Sequence, residues 1–573
     1  MDAQFDLVIR GGTIIDGSGG DSTEGDVAIA AGRIAAIGNV SGTGVEEIEA
    51  KDCIVTPGFV DIHTHYDGQV TWENRLAPSS NHGTTTVIMG NCGVGFAPCR
   101  PDQHDLVIRL MEGVEDIPGV VMAEGVPWNW ITFPDYLDAL SQRHTDVDFA
   151  AQLPHSPLRV FVMGQRGADL EPPTDDDLRE MRRLTAEAVE AGALGVSTSR
   201  NLAHRFRTGQ LAPSVNTEEA EVLALAAGLR EAGTGVFQMV PNTDMSSEAQ
   251  LDLLRKVAET AGRPVSFSFL QSHLQPDGWR TMLDGLAEAN SQGLDIKGQV
   301  LPRPVGGLMG LELSFHPFSL NPSFRPLADL PLGEKVRAMR DPQTRAHLIS
   351  ETPESPQPFF VFFVSDYESI FVLGDPPNYH PSAQESIAAQ ARSKGRAPLE
   401  VIYDALLERD GHQILYRPMG NALGECFESC GRNMLKTDLT VIGLGDGGAH
   451  YSMICDAAYP TYILTYWTRD AAPDKALSLP LAIRKLTHDP AAFVGLDDRG
   501  LIRLGAKADL NVIDYDKLAL AAPHPTYDLP AGGRRLRQES RGYRATILSG
   551  QVTYRDGEPT GALPGRLVRR GVH

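Results

Sequence analysis

The chain has little cysteine and no long apolar run. Six cysteines among 573 residues are too few to suggest a disulfide framework. The chain contains no run of about 18 apolar residues, so no membrane-spanning helix is predicted. The opening residues MDAQFDLVIRGG lack the basic and apolar regions of a signal peptide. We therefore expect a cytoplasmic protein with reduced thiols.

Basic residues are also scarce relative to acidic ones. The chain has 51 Lys and Arg against 74 Asp and Glu, for a formal net charge of -23. Such a surface repels the phosphates of nucleic acid and anionic membranes, so both classes of partner are disfavoured. A small molecule is the expected partner, and the composition leaves a homo-oligomer open.

What the chain does have is material for a large core. Hydrophobic residues make up 42% and charged residues 22%, which are ordinary globular values. Because one core stops growing at a few hundred residues, this length predicts a large domain with a smaller partner.

The two ends of the chain have the pattern of β-strands. Runs in which apolar and polar residues alternate and β-branched residues are frequent occupy 5–15 and 26–37, and similar runs occur at 509–514 and 544–555. We therefore predict a small β-sandwich-like domain built from both termini, residues 1–56 and 495–573.

The middle of the chain, residues 57–494, alternates apolar runs with amphipathic helices, which we predict at 177–191, 217–232 and 247–261. This rhythm is typical of βα units and predicts an α/β fold, a (β/α)8 TIM barrel. The alternation of apolar runs with amphipathic helices is lost at about 300–420, where proline is frequent. We interpret that stretch as an insertion or a set of long loops rather than a second core.

His63-Thr64-His65 is the first motif with chemical meaning. It follows the apolar run Ile54–Ile62, and alternate residues of an extended segment face the same side, so both imidazoles can bind one ion. Active sites of TIM barrels lie at the C-terminal ends of the strands, where this pair falls. Two exposed loop histidines remain the alternative.

Several segments resemble the amidohydrolase superfamily, and within it the D-aminoacylase (N-acyl-D-amino-acid deacylase) branch. They follow the expected order along almost the whole chain: PGFVDIHTHYD at 57–67, TTTVIMGNCGVGFAP at 84–98, GALGVSTS at 192–199, LGDGG at 444–448, LTHDPAAFVGLDDRGLIRLGAKADLNVID at 486–514 and GQVTYRDGEPTGALPGRLVR at 550–569.

The resemblance implies a hydrolase with one or two divalent ions, commonly Zn²⁺, at the barrel mouth. It assigns His63, His65 and Cys92 as metal ligands and Asp446 as both a ligand and the proton shuttle. Zinc accepts imidazole, thiolate and carboxylate and lowers the pKa of water. Without the resemblance, Asp446 would be interpreted as a turn-forming residue and Cys92 as a buried free thiol.

Two further metal histidines of that branch lack clear counterparts. The first falls near GVFQMVP, where Gln238 or Met239 stands at the expected position. The second is His273 in QSHLQ, although strict counting along the strand puts Phe269 there. One ion held by His63, His65 and Asp446 is therefore the safer expectation.

The branch also has an arginine about one turn after the catalytic aspartate, and here that stretch has none before Arg469. Arg200, Arg303, His204 and His450 are the candidate substrate contacts; His450 could instead orient the metal ligands, as could Asp67.

We expect hydrolysis of a C–N amide bond, in an N-acyl-amino acid, for which the resemblance implies the D configuration, or in a related amide. A hydrolase of the same fold acting on a carboxylate-free amide, urea, carbamate or cyclic imide is the first alternative. A binding protein that has lost catalysis is the second, and a scaffolding oligomer has no positive signal.

Overall fold

The computed structural model describes residues 3–272, 275–421 and 427–570. It has an α/β fold in which parallel strands alternate with helices. The parallel strands are β1 (Phe59–Asp61), β2 (Thr84–Met89), β3 (Asp148–Ala151 continued by Leu153–Pro154), β4 (Gly195–Ser199), β5 (Val236–Val240), β6 (Val265–Ser268), β7 (Ile296–Val300) and β8 (Thr440–Ile442).

These strands pair in the order of the chain. β1, β2 and the first part of β3 form one sheet, and the second part of β3 continues through β4, β5, β6 and β7 to β8 in the other. Every pairing is parallel. Parallel neighbours require a crossover between them, and helices supply most of these crossovers.

The helices occupy Gln69–Trp72, His104–Val114, Gly119–Gly125, Phe133–Ser141, His155–Met163, Gln165–Ala168, Asp175–Glu190, Glu219–Ala232, Ser247–Ala261, Gly278–Ser291, Leu332–Met339, Pro342–Ser350, Pro358–Ser365, Ile387–Lys394, Pro398–Leu406, Arg432–Lys436, Tyr459–Tyr462, Leu479–Leu486 and His488–Phe493. The three helices predicted from periodicity are present within two residues of the expected bounds. Local signals explain their ends: Thr174 forms a capping box with Asp177, and Gly233 ends the next helix in the left-handed conformation.

Strands from both termini share one nine-stranded sheet. They are Phe5–Ile14, Thr23–Ala30, Arg33–Gly38, Gly44–Glu49, Ile54–Pro57, Leu510–Ile513, Tyr543–Leu548, Gln551–Arg555 and Glu558–Pro559. Ile54–Pro57 pairs with the first strand on one side and with Leu510–Ile513 on the other. The two ends of the chain also bury their side chains in one hydrophobic cluster.

The proline-rich stretch contains a core of its own, so our expectation that it would lack one is wrong. The strands Val305–Met309, Phe371–Val372 and Leu415–Gly420 form a separate sheet. Buried residues such as Phe318, Ile402 and Leu406 form a hydrophobic cluster distinct from the main one. Two of the frequent prolines begin the helices Pro342–Ser350 and Pro398–Leu406. Proline is favoured at the first position of a helix, so its frequency here did not exclude helical segments with an apolar face.

Two short ribbons, Ala519–Leu520 with Ser540–Arg541 and His524–Leu529 with Gly533–Arg537, complete the strands. None of the helices in the described ranges combines the length and apolarity that crossing a bilayer requires.

Candidate metal centre

The segment after β1 carries the two histidines of the sequence motif. The apolar run Ile54–Ile62 is divided at Gly58, since Ile54–Pro57 belongs to the terminal sheet and β1 to the parallel one. A side chain at Gly58 would collide with Thr85, whose Oγ1 would lie 2.2 Å from the added Cβ. His63 and His65 are each 1% exposed and follow β1 directly.

Cys92 completes a three-residue cluster. Nε2 of His63 lies 3.2 Å from Sγ of Cys92, and the ligand atoms of His63, His65 and Cys92 all lie within 4.8 Å of one another. Cys92 follows β2 in the turn Gly90–Gly93, where Gly90 has a φ of 79° and an added Cβ would meet the carbonyl oxygen of Gln152 at 2.2 Å. Only glycine fits there.

Asp446 reaches the same cluster from β8. Its Oδ1 lies 3.5 Å from Nε2 of His63 and 3.5 Å from Nε2 of His65. The backbone joins these segments as well: the amide of Asp446 donates to the carbonyl of His63 at 3.1 Å, and the amide of His65 donates to that of Gly447 at 2.7 Å.

Three residues of the site adopt an unusual backbone conformation. Cys92, Asp446 and His450 have φ values of 56°, 48° and 49°. Non-glycine residues rarely adopt this left-handed region, and where they do, the residues often lie at functional sites.

Burial sets the protonation of the histidines. It lowers the pKa of His63 to about 4, of His65 to about 3 and of His450 to about 4. These imidazoles are therefore neutral at pH 7, and a neutral imidazole has a lone pair for a metal ion. Burial, reinforced by the nearby carboxylates Glu115 and Asp446, raises the pKa of the Cys92 thiol above its usual range.

The contacts of His63 and His65 include residues that the sequence did not single out. Nδ1 of His63 lies 2.6 Å from Oε1 of Gln299 on β7. Nδ1 of His65 lies 3.6 Å from Oε1 of Glu115, which is 1% exposed. Gln299 could have been suspected as a polar residue in an apolar strand, whereas Glu115 had no local signal.

Gln238, rather than Met239, lies beside the cluster. Its Oε1 accepts a hydrogen bond from the amide of Cys92 at 3.1 Å, whereas Met239 is 1% exposed within the main hydrophobic core. Phe269 is buried against Phe267 in that core. His273 lies outside the described residues.

The candidate substrate contacts occupy different surroundings. Burial, reinforced by His450, His65 and His63, lowers the pKa of His204 to about 3, and its Nδ1 is buried with no hydrogen-bond partner among the described residues. His450 itself lies 3.4 Å from Oε2 of Glu115.

Both arginines among those candidates contact other residues of the protein, although Nε and Nη1 of Arg303 have no hydrogen-bond partner among the described residues. Arg303 is fully buried, pairs with Asp456 and stacks on the ring of Tyr379 at 4.0 Å. Arg200 donates to the carbonyl of Thr217 at 2.8 Å.

Comparison with protein families gives one match over most of the chain. The model of the Amidohydrolase family matches residues 46–554. Among curated proteins, the N-acyl-D-aspartate deacylase of Alcaligenes xylosoxydans xylosoxydans is 27% identical and aligns over 99% of this chain and 96% of its own length. The D-aminoacylase of the same organism is 26% identical over 99% of this chain and 98% of its own.

Solved structures show the same fold. A D-aminoacylase crystal structure has a TM-score of 0.65 at 22% identity and covers 99% of this chain and 100% of its own. An N-acyl-D-glutamate deacylase of Bordetella bronchiseptica, crystallised with zinc and a phosphonate inhibitor, has the same TM-score at 22% identity and covers 99% of both chains.

Proposed function

The chain belongs to the amidohydrolase family, as its motifs predicted, and from this premise we propose that it is a metal-dependent hydrolase of a C–N amide bond. The substrate class that we propose is an N-acyl-amino acid, of D configuration, or a related amide. The observation that carries the proposal is the convergence of His63, His65 and Cys92 with Asp446, whose Oδ1 lies 3.5 Å from both imidazoles.

The donor atoms suit zinc. Two neutral imidazoles, a thiol that can ionise and a carboxylate are ligands that Zn²⁺ accepts. The Nδ1 atom of His63 is turned toward Gln299, so Nε2 faces Cys92 and Asp446. A zinc ion bound here would lower the pKa of a water molecule and polarise the substrate carbonyl.

Asp446 is the group that we propose for proton transfer. Its side chain is 22% exposed, whereas those of His63 and His65 are each 1% exposed, so a substrate can approach the carboxylate. In this role Asp446 takes a proton from the attacking water and gives it to the departing nitrogen. No other carboxylate lies within 4.0 Å of both His63 and His65 among the described residues.

The relatives support the substrate class. The curated relatives that align with nearly the whole chain include enzymes that deacylate N-acyl-D-aspartate and N-acyl-D-glutamate. One observation favours a second candidate, an amide, urea, carbamate or cyclic imide without a carboxylate: the stretch after Asp446 contains no arginine before Arg469.

We propose one tightly held ion, since Gln238 and not histidine lies beside Cys92. We also propose that β1 to β8 close into a barrel. Side chains of β1, β2, β3, β5 and β8 meet in one hydrophobic cluster, which supports closure.

The domain division follows from the sheets. We propose residues 1–56 and 495–573 as a small β domain and 57–494 as the hydrolase domain, with the insertion at about 300–420. The shared terminal sheet supports this division. We propose a cytoplasmic location, with which the free thiols of Cys53, Cys92, Cys99 and Cys455 agree. Assembly into a homo-oligomer stays a prediction.

The test is zinc content per chain, by elemental analysis, combined with amide hydrolysis. The wild type is compared with a His63→Ala/His65→Ala variant and with a His412→Ala/His524→Ala control, in which both histidines are at least half exposed. We expect about one zinc per chain, lost together with activity only in the first variant. The substrates are N-acetyl-D-amino acids, their L enantiomers and uncharged N-alkyl acetamides. A wild type without metal, inactive even when divalent ions are added, would contradict the proposal.

A further inference from the structure

Glu115 lies among the proposed metal ligands although it comes from a different part of the chain. It follows the helix His104–Val114 and is 1% exposed. Its carboxylate faces two imidazoles: Oε1 lies 3.6 Å from Nδ1 of His65, and Oε2 lies 3.4 Å from Nε2 of His450.

The contact between His63 and Gln299 shows how a buried acceptor can orient a histidine ring. Oε1 of Gln299 lies 2.6 Å from Nδ1 of His63, and its amide nitrogen donates to Ser266 at 3.0 Å. Because an amide oxygen can only accept, this contact places the proton of His63 on Nδ1 and leaves the Nε2 lone pair for the cluster.

Glu115 lies on the Nδ1 side of His65, as Gln299 lies on the Nδ1 side of His63, but at 3.6 Å, which is longer than a hydrogen bond. Nδ1 of His65 points to the carboxylate, while Nε2 lies 3.5 Å from Oδ1 of Asp446. Nδ1 of His65 is buried and has no hydrogen-bond partner among the described residues. No other described group therefore competes with Glu115 for that nitrogen.

Glu115 also contacts the segment that carries Asp446. Its carbonyl oxygen accepts a hydrogen bond from the amide of His450 at 2.5 Å. His450 and Asp446 both have a left-handed backbone, a conformation that persists only when surrounding contacts hold it. One residue thus touches both segments that must meet at the ion.

We propose that Glu115 is a positioning residue for the metal centre: its carboxylate fixes the ring of His65 with Nδ1–H toward Glu115 and Nε2 toward the ion. Its carbonyl and Oε2 keep His450, and with it the loop of Asp446, against that ring. The inference rests on the metal site proposed above.

The test measures zinc affinity by competition with a chromophoric chelator, on the wild type and on Glu115→Ala and Glu115→Gln. Loss of a group that orients a metal-ligating histidine weakens binding by about 10- to 100-fold. We expect that loss for Glu115→Ala and a smaller one for Glu115→Gln, whose amide oxygen can still accept from Nδ1–H. In the cobalt-substituted proteins, the visible spectrum of both variants should differ from that of the wild type.

Asp146→Asn is the matched control. Asp146 is also a buried carboxylate, but it accepts from the amide of Leu76 at 2.9 Å and from the hydroxyl of Tyr554 at 2.8 Å, and it contacts none of the proposed ligands. Its zinc affinity should stay within about threefold of the wild type. Thermal unfolding of each metal-free protein shows whether the variant is folded; if Glu115→Ala is not, Glu115→Gln decides.

Zinc affinities of the Glu115 variants within threefold of the wild type would overturn the inference, as would an equal loss in Asp146→Asn. Either result would leave the proposed function standing. A wild type that binds no zinc would overturn the proposed function and this inference together.

Discussion

Gln238 is the residue on which the proposed number of ions depends. The resemblance to D-aminoacylases places a metal-binding histidine at this position or the next, and the structure puts Gln238 next to Cys92, with its Oε1 accepting from the Cys92 amide. Its Nε2 is buried and has no hydrogen-bond partner among the described residues. An imidazole in its place would add a nitrogen ligand next to the thiol.

We therefore predict that Gln238→His raises the zinc content from about one to about two per chain, measured by elemental analysis after removal of loosely bound metal. Gln413→His is the control, since Gln413 is buried in the insertion and donates to Leu373 and Ile414. Unchanged zinc content in Gln238→His would count against a latent second site there.

At this scale the sequence indicated the proposed ligands but not the residues that contact them. His63, His65 and Asp446 stand in recognisable motifs, and the structure brings them together. Glu115 contacts His65 from 50 positions further along the chain. No periodicity or spacing joins positions so far apart, because their contact depends on how the intervening helices pack.

The loop after β8 is the element on which the site depends most closely. Gly445 precedes Asp446, and an added Cβ would meet Oδ2 of Asp61 at 2.0 Å and the ring of Tyr459 at 2.9 Å. Asp61 in turn accepts from the amide of His63 at 3.0 Å. A side chain at Gly445 must therefore displace either the Asp446 loop or the His63 segment.

Gly445→Ala is expected to lower kcat/KM by at least about tenfold, since small misplacements of reacting groups are costly, and stability by about 1–3 kcal/mol through overpacking. The measurements are steady-state kinetics and urea unfolding. Gly333→Ala is the control: it lies in the helix Leu332–Met339, and nothing lies within 4 Å of its added Cβ. Full activity in Gly445→Ala would show that the loop tolerates the shift.

Element types were largely predictable, and element partners were not. The helix Ser247–Ala261 has the predicted bounds, because its periodicity is local. The continuous apolar run Ile54–Ile62 gave no indication that Gly58 divides it between two sheets. Hydrophobicity reports that a segment is buried, not which sheet buries it.

The terminal sheet and the parallel sheet are joined through a buried charge cluster. Asp148 on β3 is 3% exposed and contacts two cations of the C-terminal part of the chain, Arg499 at 2.7 Å and Lys507 at 2.9 Å. Burial raises the pKa of Asp148, but Lys507 and Arg499 outweigh that effect, and its pKa lies below the usual value.

Asp148→Asn is predicted to destabilise the whole molecule by about 1–3 kcal/mol, because Arg499 and Lys507 lose their shared partner and keep Asp498 and Asp509 as their acidic partners. Urea unfolding followed by circular dichroism measures the change. Asp169→Asn, at an exposed position whose side chain accepts from Gln165, should stay within about 0.5 kcal/mol of the wild type. Equal stability of the two variants would contradict the role of this contact between the sheets.

The sequence by itself determined the family, the alternation of strands and helices, and the motifs that supply His63, His65, Cys92 and Asp446. The alternation of strands and helices and the His63–His65 pair are local, since they depend on periodicity and on the rule that the ends of parallel strands meet at one edge, whereas Cys92 and Asp446 were recognised through the resemblance to the D-aminoacylase branch. Only the tertiary structure decided that Glu115 and Gln299 contact the ligand histidines, that Gln238 lies against Cys92 and that Arg303 is neutralised by Asp456. Those contacts join distant segments, and packing in three dimensions selects among many partners that the sequence leaves equivalent.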